Sequence, residues 1–315
     1  MTERMNPEFV PYSLDRMNEL KPYYTRYLSE IHDLNLTNQL IWLKKHNLHT
    51  LEIGGYMWFV YLPHDPFEMM FSEPVGDYED LEGLVNATQK FIDFCKDNGY
   101  VMRMRHIGDR YKVFLELNGF TLASAPIEDD FDYVYEAEAM AKLAGNKYHK
   151  KKNHLNQFLK AHVDRNEILT VDERNAQSAL EAATNWCVSN GCKDSLDLCH
   201  EYRGIKKILE NWKYFQDFGV EGVLIKVDGE PVAFSFGEMI QNDTFLVHIE
   251  KADPTYPGAY TAITHAMSNQ VVSRCQYLNR EQDMGIEGIR KAKQSFHPHH
   301  LVPKHDGVIS GSNPV

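Results

Sequence analysis

Apolar residues along this chain switch repeatedly between short continuous runs and spacings of three and four, the mark of a mixed α/β protein. The longest wholly apolar run, residues 56–62 (YMWFVYL), reads as a buried strand from its aromatic and β-branched content. Residues 77–97 read as a helix. Leu81, Leu84, Val85, Thr88, Phe91, Ile92 and Cys95 form its stripe, acidic residues crowd its first turn, and Asn98-Gly99 ends it. Strands are expected at 35–42, 50–53, 67–71, 100–104, 120–126 and 132–135, and a further helix at 110–117. Leu20, Tyr24, Tyr27, Leu28 and Ile31 stand at helical spacing near the start.

The second half follows a similar order. A strand at 168–171 and helices at 175–189 and 194–218 precede two strands, 222–227 and 231–239, that flank Asp228-Gly229, a strong hairpin signal. A strand at 245–250, a helix at 260–274, a strand at 276–279, a helix at 286–296 and a last strand at 307–309 complete it. Residues 67–126 and 245–309 thus share one succession of strand, turn, helix, strand, polar burst, helix and strand. That repeat predicts two copies of one α/β unit, divided as residues 1–140 and 141–315.

Charge sharpens the division. Residues 1–140 hold 12 Lys or Arg against 24 Asp or Glu, whereas residues 141–315 hold 21 of each, so the net charge of −12 belongs to the first half. Such a chain does not coat nucleic acid uniformly. Four lysines and two histidines cluster within 147–154. Lys147, Lys150, Lys151 and Lys152 form either a face for phosphate or RNA, or a solvated helix that balances the acidic half. The five cysteines read as reduced thiols. Cys187, Cys192, Cys199 and His200 lack paired metal-ligand spacing, so no metal site is expected. The histidines of 297–305 are placed in a solvated loop by Pro298 and Pro303. Neither a signal peptide pattern nor a membrane-length apolar run is present, which predicts a cytoplasmic protein.

The stretch from 276 to 304 draws the functional reading. A short strand runs into a polar burst, Asn279-Arg-Glu281-Gln-Asp283, and then into a basic helix where Arg290 and Lys293 share a face. Ligands of open α/β sheets bind at such strand ends. Together with FDYVY (131–135) and LAGNKYHKKKNHLNQF (143–158), the segment NREQDMGIEGIRKAKQSFHP (279–298) resembles the phosphatidylglycerol lysyltransferase C-terminal family. The resemblance implies a tandem of two folds of the GCN5-related N-acetyltransferase type, with central mixed sheets flanked by helices. It also implies an aminoacyl- or acyltransferase active at the second copy. The donor would be aminoacyl-tRNA or an acyl-coenzyme A, and the acceptor a small molecule or peptide with an amine or hydroxyl. No DNA partner and no firm cofactor follow from it. A non-catalytic binding protein on the same fold is the reading from another class.

On that resemblance, Asp283 is expected as base or ammonium ligand, with Arg290 and Lys293 meeting a phosphate or polarising the carbonyl. Glu250, Asp253, Tyr256, Asn279 and Glu281 are expected to contact substrate. The plainer alternative is that Asp283 pairs with Arg290 or Lys293 and fastens the loop. The turn at 253–262 has a glycine before a helix, as a coenzyme A site requires. It has no Arg or Gln in place, however, and Pro257 removes an amide.

Overall fold

A computed structural model describes residues 8–27, 31–62, 69–190, 196–240 and 243–310. The chain forms two compact units, one comprising residues up to Phe131 together with those from Val302 onward, the other Asp132–Leu301.

In the first unit the strands are β1 (Val10–Pro11), β2 (Leu48–Ile53), β3 (Tyr56–Tyr61), β4 (Met70–Phe71), β5 (Arg103–Gly108) and β6 (Thr121–Pro126). The chain's last strand, β14 (Lys304–Ser310), inserts between β5 and β6, giving the order β1-β2-β3-β4-β5-β14-β6. Short helices α1 (Met17–Leu20), α2 (Leu36–Ile41) and α3 (Leu43–His46) precede β2, and α4 (Leu81–Asp97) and α5 (Asp109–Leu117) flank β5. The Asp80 carboxylate caps α4 by accepting from Gly83 N at 2.9 Å. Phe91 on its buried stripe stacks on Trp58 of β3, with ring centroids 5.0 Å apart and planes at 7°.

The second unit has β7 (Asp132–Glu136), α6 (Ala137–Lys142), α7 (His149–Ala161), β8 (Asn166–Thr170), α8 (Ala176–Ser189), α9 (His200–Glu210) and α10 (Trp212–Phe218). There follow β9 (Glu221–Val227), β10 (Glu230–Met239), β11 (Thr244–Ala252), α11 (Ala259–Val271), β12 (Tyr277–Asn279), α12 (Glu287–Gln294) and β13 (His300–Val302). Its sheet runs β13-β7-β12-β11-β10-β9-β8. The β9–β10 hairpin turns at Asp228 (φ 53°) and Gly229 (φ 83°), two left-handed residues that match the twist of the strands. Each sheet contains a parallel pair, β4 with β5 and β11 with β12, among antiparallel neighbours. A helix connects each parallel pair, α4 in one and α11 in the other, so both units carry the strand–helix–strand arrangement expected from the repeat.

Several sequence expectations need correction. Residues 36–41 are helical because the Asn35 side chain caps them, accepting from Asn38 N at 3.0 Å. Of the early residues with helical spacing, Leu20 lies in α1 and Tyr24 in the single turn Lys21–Tyr24, Tyr27 and Ile31 lie in no helix, and Leu28 lies outside the described residues. Part of the expected strand at 67–71 lies outside the described residues, as do Cys192 and the start of the helix expected at 194. That helix is broken at Asn211 into α9 and α10. The histidine-containing tail is not a loop, because β13 and β14 occupy it. The division between units falls at 131/132 rather than 140/141, since β7 pairs with β12, while β14 pairs with β5 and β6. The last strand of the expected second copy therefore belongs to the sheet of the first unit.

Gly258 opens α11 at φ +90°, and a Cβ there would stand 2.2 Å from the carbonyl oxygen of His154 and 3.1 Å from Phe158 Cβ. The bare glycine lets α11 sit against α7. Gly258→Ala is expected to cost about 2–4 kcal/mol in urea unfolding, from left-handed strain and overlap together.

Candidate active site

The parallel pair β11·β12 is three residues long: Thr244 faces Tyr277, Phe245 faces Leu278 and Leu246 faces Asn279. Beyond Leu246, β11 continues to Ala252, whereas the other chain turns away after Asn279. Two non-glycine residues in that departing loop, Glu281 and Met284, take left-handed conformations (φ 57° each). Such residues cost energy and persist only when their surroundings hold them.

The loop is held in several places. Asn279, fully buried, accepts from Glu281 N at 2.8 Å through Oδ1 and donates to Asp132 Oδ2 at 3.1 Å. Asp283, fully buried, accepts from Arg290 Nε (2.7 Å) and Nη2 (2.9 Å), from the Tyr133 hydroxyl (2.6 Å) and from Gly285 N (2.9 Å). Burial alone would raise the Asp283 pKa, but the bonds from Arg290, Tyr133 and Gly285 outweigh it and hold the carboxyl below its ordinary value. Lys293 Nζ donates to the carbonyl oxygens of Arg280 and, at 3.0 Å, Glu281.

Where the strands part lies a cleft of about 420 Å³. Its walls are residues 247–251 of β11, the loop 280–284, Lys293 and Phe296 of the α12 region, Lys151 of α7, Tyr260 and Thr264 of α11, and Trp186 and Glu201. Glu250 and Arg280, each almost buried, pair at 2.6 Å, and the Thr264 hydroxyl donates to the same Glu250 oxygen at 2.7 Å. Glu250 Oε2 has no partner among the described residues. Buried Arg280 Nη1 and Gln282 Oε1 are likewise unpartnered there. The Arg280 guanidinium and the Lys151 ammonium both approach the Phe296 ring, at 5.0 and 3.8 Å from its centroid.

His248 sits in the wall with its side chain fully buried. Nε2 is 3.1 Å from Glu238 Oε1, and Nδ1 is 3.6 Å from Glu281 Oε1. Burial opposes its charge, yet the two glutamates prevail and raise the pKa to about 9. The lysines shift the other way. Burial, reinforced by the charge of Arg280 and opposed by the cleft carboxylates, lowers Lys293 and Lys151 to about 8 each. On the outer wall Lys251 is 2.9 Å from Glu201 and covers the Trp186 ring at 3.9 Å, while Trp186 Nε1 donates to the Tyr260 hydroxyl at 2.6 Å.

Of the residues singled out from sequence, Lys293, Glu250, Glu281 and Lys151 meet in this cleft. Asp283 and Arg290 lie behind it, paired with each other, so the carboxylate expected as a base instead fastens the loop. Asn279 does the same from the strand end. Asp253 closes a turn on itself, accepting from Thr255 N and Oγ1, and Tyr256 packs on His162; neither lines the cleft. Lys147, Lys150 and Lys152 are exposed on α7 and its approach. Arg280, His248, Lys251, Trp186, Tyr260 and Thr264 were not singled out. His248 and Glu250 did carry a signal: polar residues two apart, hence on one face, in an otherwise apolar strand.

The start of α11, where a coenzyme A pyrophosphate would meet backbone amides, is packed on one side and open to the cleft at Tyr260. Ala259 and Ala262 are buried and the chain of α7 lies on Gly258. In the first unit the matching pair β4·β5 has one bridged couple, Phe71 with Met104. Beside it the buried Glu73 carboxylate accepts from Gly108 N and the Tyr27 hydroxyl, both at 2.7 Å.

Residues 25–305 match the phosphatidylglycerol lysyltransferase C-terminal family. The chain belongs to that family. Its members are aminoacyltransferase-like, and the splayed strand pair with its basic helix is where this chain departs from a plain sheet. A crystal structure of a conserved protein of unknown function from Bacteroides thetaiotaomicron is 27% identical, with a TM-score of 0.84, covering 97% of this chain and 100% of that one. The structure of L-PGS from Bacillus licheniformis shares the fold at 11% identity, with a TM-score of 0.67 over 99% of this chain and 95% of the other. An uncharacterised protein of Mycoplasmoides gallisepticum is 24% identical over 187 residues, and the match spans 56% of each chain. No described helix is long and apolar enough to cross a membrane.

The lowered pKa of Asp283 gives a signed test. Its contribution to stability is present above the ordinary carboxylate value of 3.8 and is lost as pH falls through the lower folded value. Asp283→Asn is expected to lose about 1–3 kcal/mol in urea unfolding at pH 7, discounted for the part-exposed Arg290 partner. The gap from wild type should stay constant down to about pH 5 and close only in stronger acid. A gap that is absent at neutral pH would remove the loop-fastening role.

Proposed function

We propose that the second unit transfers an aminoacyl group from an ester, such as the 3′ end of an aminoacyl-tRNA, to an amine or hydroxyl acceptor, with the chemistry in the β11·β12 cleft. The observation that carries this reading is the set of unpaired polar groups along one cleft, Arg280 Nη1 as donor, and Gln282 Oε1 and Glu250 Oε2 as acceptors. An aminoacyl ester presents the complements, a carbonyl oxygen and an ammonium. Glu250 Oε2 and Gln282 Oε1 hold the ammonium. Lys293, oriented by two carbonyl oxygens, offers its remaining N–H to the ester carbonyl, where negative charge develops as the acceptor attacks. Arg280 Nη1 supplies a second donor. Membership of an aminoacyltransferase-like family supports the reaction class.

A coenzyme A-dependent acyl transfer is the second reading. The turn before α11 speaks against it, with no Arg or Gln in place, an amide removed by Pro257, and α7 packed on Gly258. The exposed Lys147, Lys150 and Lys152 suit the phosphates of a tRNA acceptor arm.

A filter assay that follows loss of radiolabelled amino acid from tRNA, with a panel of amine and hydroxyl acceptors, tests the proposal. Wild type should turn over the ester, and Lys293→Met should lower kcat by about 10²–10³, the usual cost of one oxyanion donor. Consumption of acetyl-coenzyme A in place of aminoacyl-tRNA would decide for the second reading. Replacing Lys147, Lys150 and Lys152 together should raise KM for tRNA and flatten its salt dependence, leaving kcat near wild type.

A further inference from the structure

Acyl transfer needs a group to accept the acceptor's proton, and most candidates in the cleft are engaged. Asp283 is saturated by Arg290, Tyr133 and Gly285. Glu201 is paired with Lys251, and Glu250 is paired through Oε1 with Arg280 and Thr264, its Oε2 being assigned above to the substrate ammonium. His248 is held as an imidazolium by Glu238 and Glu281, and so has no lone pair to offer. Lys293 has two of its N–H groups committed to carbonyl oxygens.

Lys151 differs from all of these. It is half-buried in the cleft wall and makes no hydrogen bond or ion pair with the described residues, its contact being the face of Phe296. Arg280 approaches that same ring. Lys151 also stands in the first turn of α7, which holds His149, Lys150, Lys151 and Lys152 and no acidic residue. The exposed amides of a helix start carry partial positive charge and disfavour a further cation there. An ammonium in that place is short of solvent and faces a guanidinium, with no carboxylate bonded to it.

Resting on the acyl-transfer reading above, we infer that the Lys151 amine, unpaired in the cleft beside Arg280 and Phe296, is the general base that takes the proton from the attacking acceptor. As the acceptor's nitrogen or oxygen bonds to the ester carbonyl carbon, its proton passes to Lys151 Nζ. The tetrahedral intermediate then collapses, the bond to the donor's ribose oxygen breaks, and that oxygen takes the proton from Lys151. An amide or a new ester and a free ribose hydroxyl result, and Lys151 ends as it began. The lowered pKa, about 8, agrees, because a useful fraction of the amine is then unprotonated near neutral pH. The other charged groups around the cleft are Arg280 and Glu281 after β12, Lys293 on α12, His248, Glu250 and Lys251 on β11, and Glu201 on α9.

Two measurements on the full chain test this. Competitive acetylation with trace acetic anhydride from pH 6 to 11, read lysine by lysine by mass spectrometry, needs no turnover. Lys151 should reach half-maximal reactivity near pH 8. Half-maximal reactivity of Lys151 near the ordinary lysine value of about 10.4 overturns the proposal. In the transfer assay, Lys151→Arg keeps the cation and its ring contact but cannot deprotonate. It should lower kcat by about 10²–10⁴, and methylamine should partly restore Lys151→Ala. Wild-type kcat in Lys151→Arg also overturns the proposal. Wild type that turns over no aminoacyl ester counts against the acyl-transfer reading, and the acetylation profile then decides separately whether the free amine exists.

Discussion

The parting of β11 from β12 is the constraint on which the second unit depends. A parallel pair three residues long leaves the far half of β11 without a neighbour on that side, and a sheet opened this way closes or fills unless something holds the strands apart. The loop after Asn279 does the holding. Its two left-handed residues would relax if left alone, but Asn279, Asp283 with Arg290, and Lys293 each fix a different part of it. Asp283 lies behind the cleft lining, bonded to Arg290, Tyr133 and Gly285 in the loop that carries Arg280, Glu281 and Gln282.

Charge in the cleft is arranged by burial as much as by pairing. Arg280 is tied to Glu250, His248 is flanked by two glutamates, and Lys293 is pinned by carbonyl oxygens, so each has a fixed position. Among the described residues Lys151 has no hydrogen bond or ion pair and rests on the Phe296 ring. Cations brought together with few carboxylates raise one another's cost of staying protonated, and the lysines bear that cost because a guanidinium cannot lose its proton. The first unit offers a contrast. Beside its short parallel pair the buried Glu73 carboxylate accepts from Gly108 N and from the Tyr27 hydroxyl.

Much of this was legible along the chain. The hairpin at Asp228-Gly229, the stripe of α4 and the change of period after Asn279 mark real elements, because each rests on local chemistry. Residues 36–41 misled, since their apolar content suggests a strand while the Asn35 cap makes a helix. The place of β14 in the first sheet could not be read, as it depends on pairing across some two hundred residues. Within the lysine run, the phase was there to see. Lys151, Leu155 and Phe158 are spaced four and three apart, on one face of α7, which sets Lys151 inward and leaves Lys150 and Lys152 in solvent. The role of Asp283 turned on which of two partners it met, and only the folded loop, with Arg290 seven residues on, answers that.

The central claim is that an aminoacyl group is bound where β11 and β12 part. Hydrogen exchange with and without a non-hydrolysable aminoacyl-adenosine amide tests it most directly. The account predicts slowed exchange confined to residues 247–251 and 280–284, with the first unit unchanged. Protection elsewhere, or none at a ligand concentration that saturates binding, would contradict it.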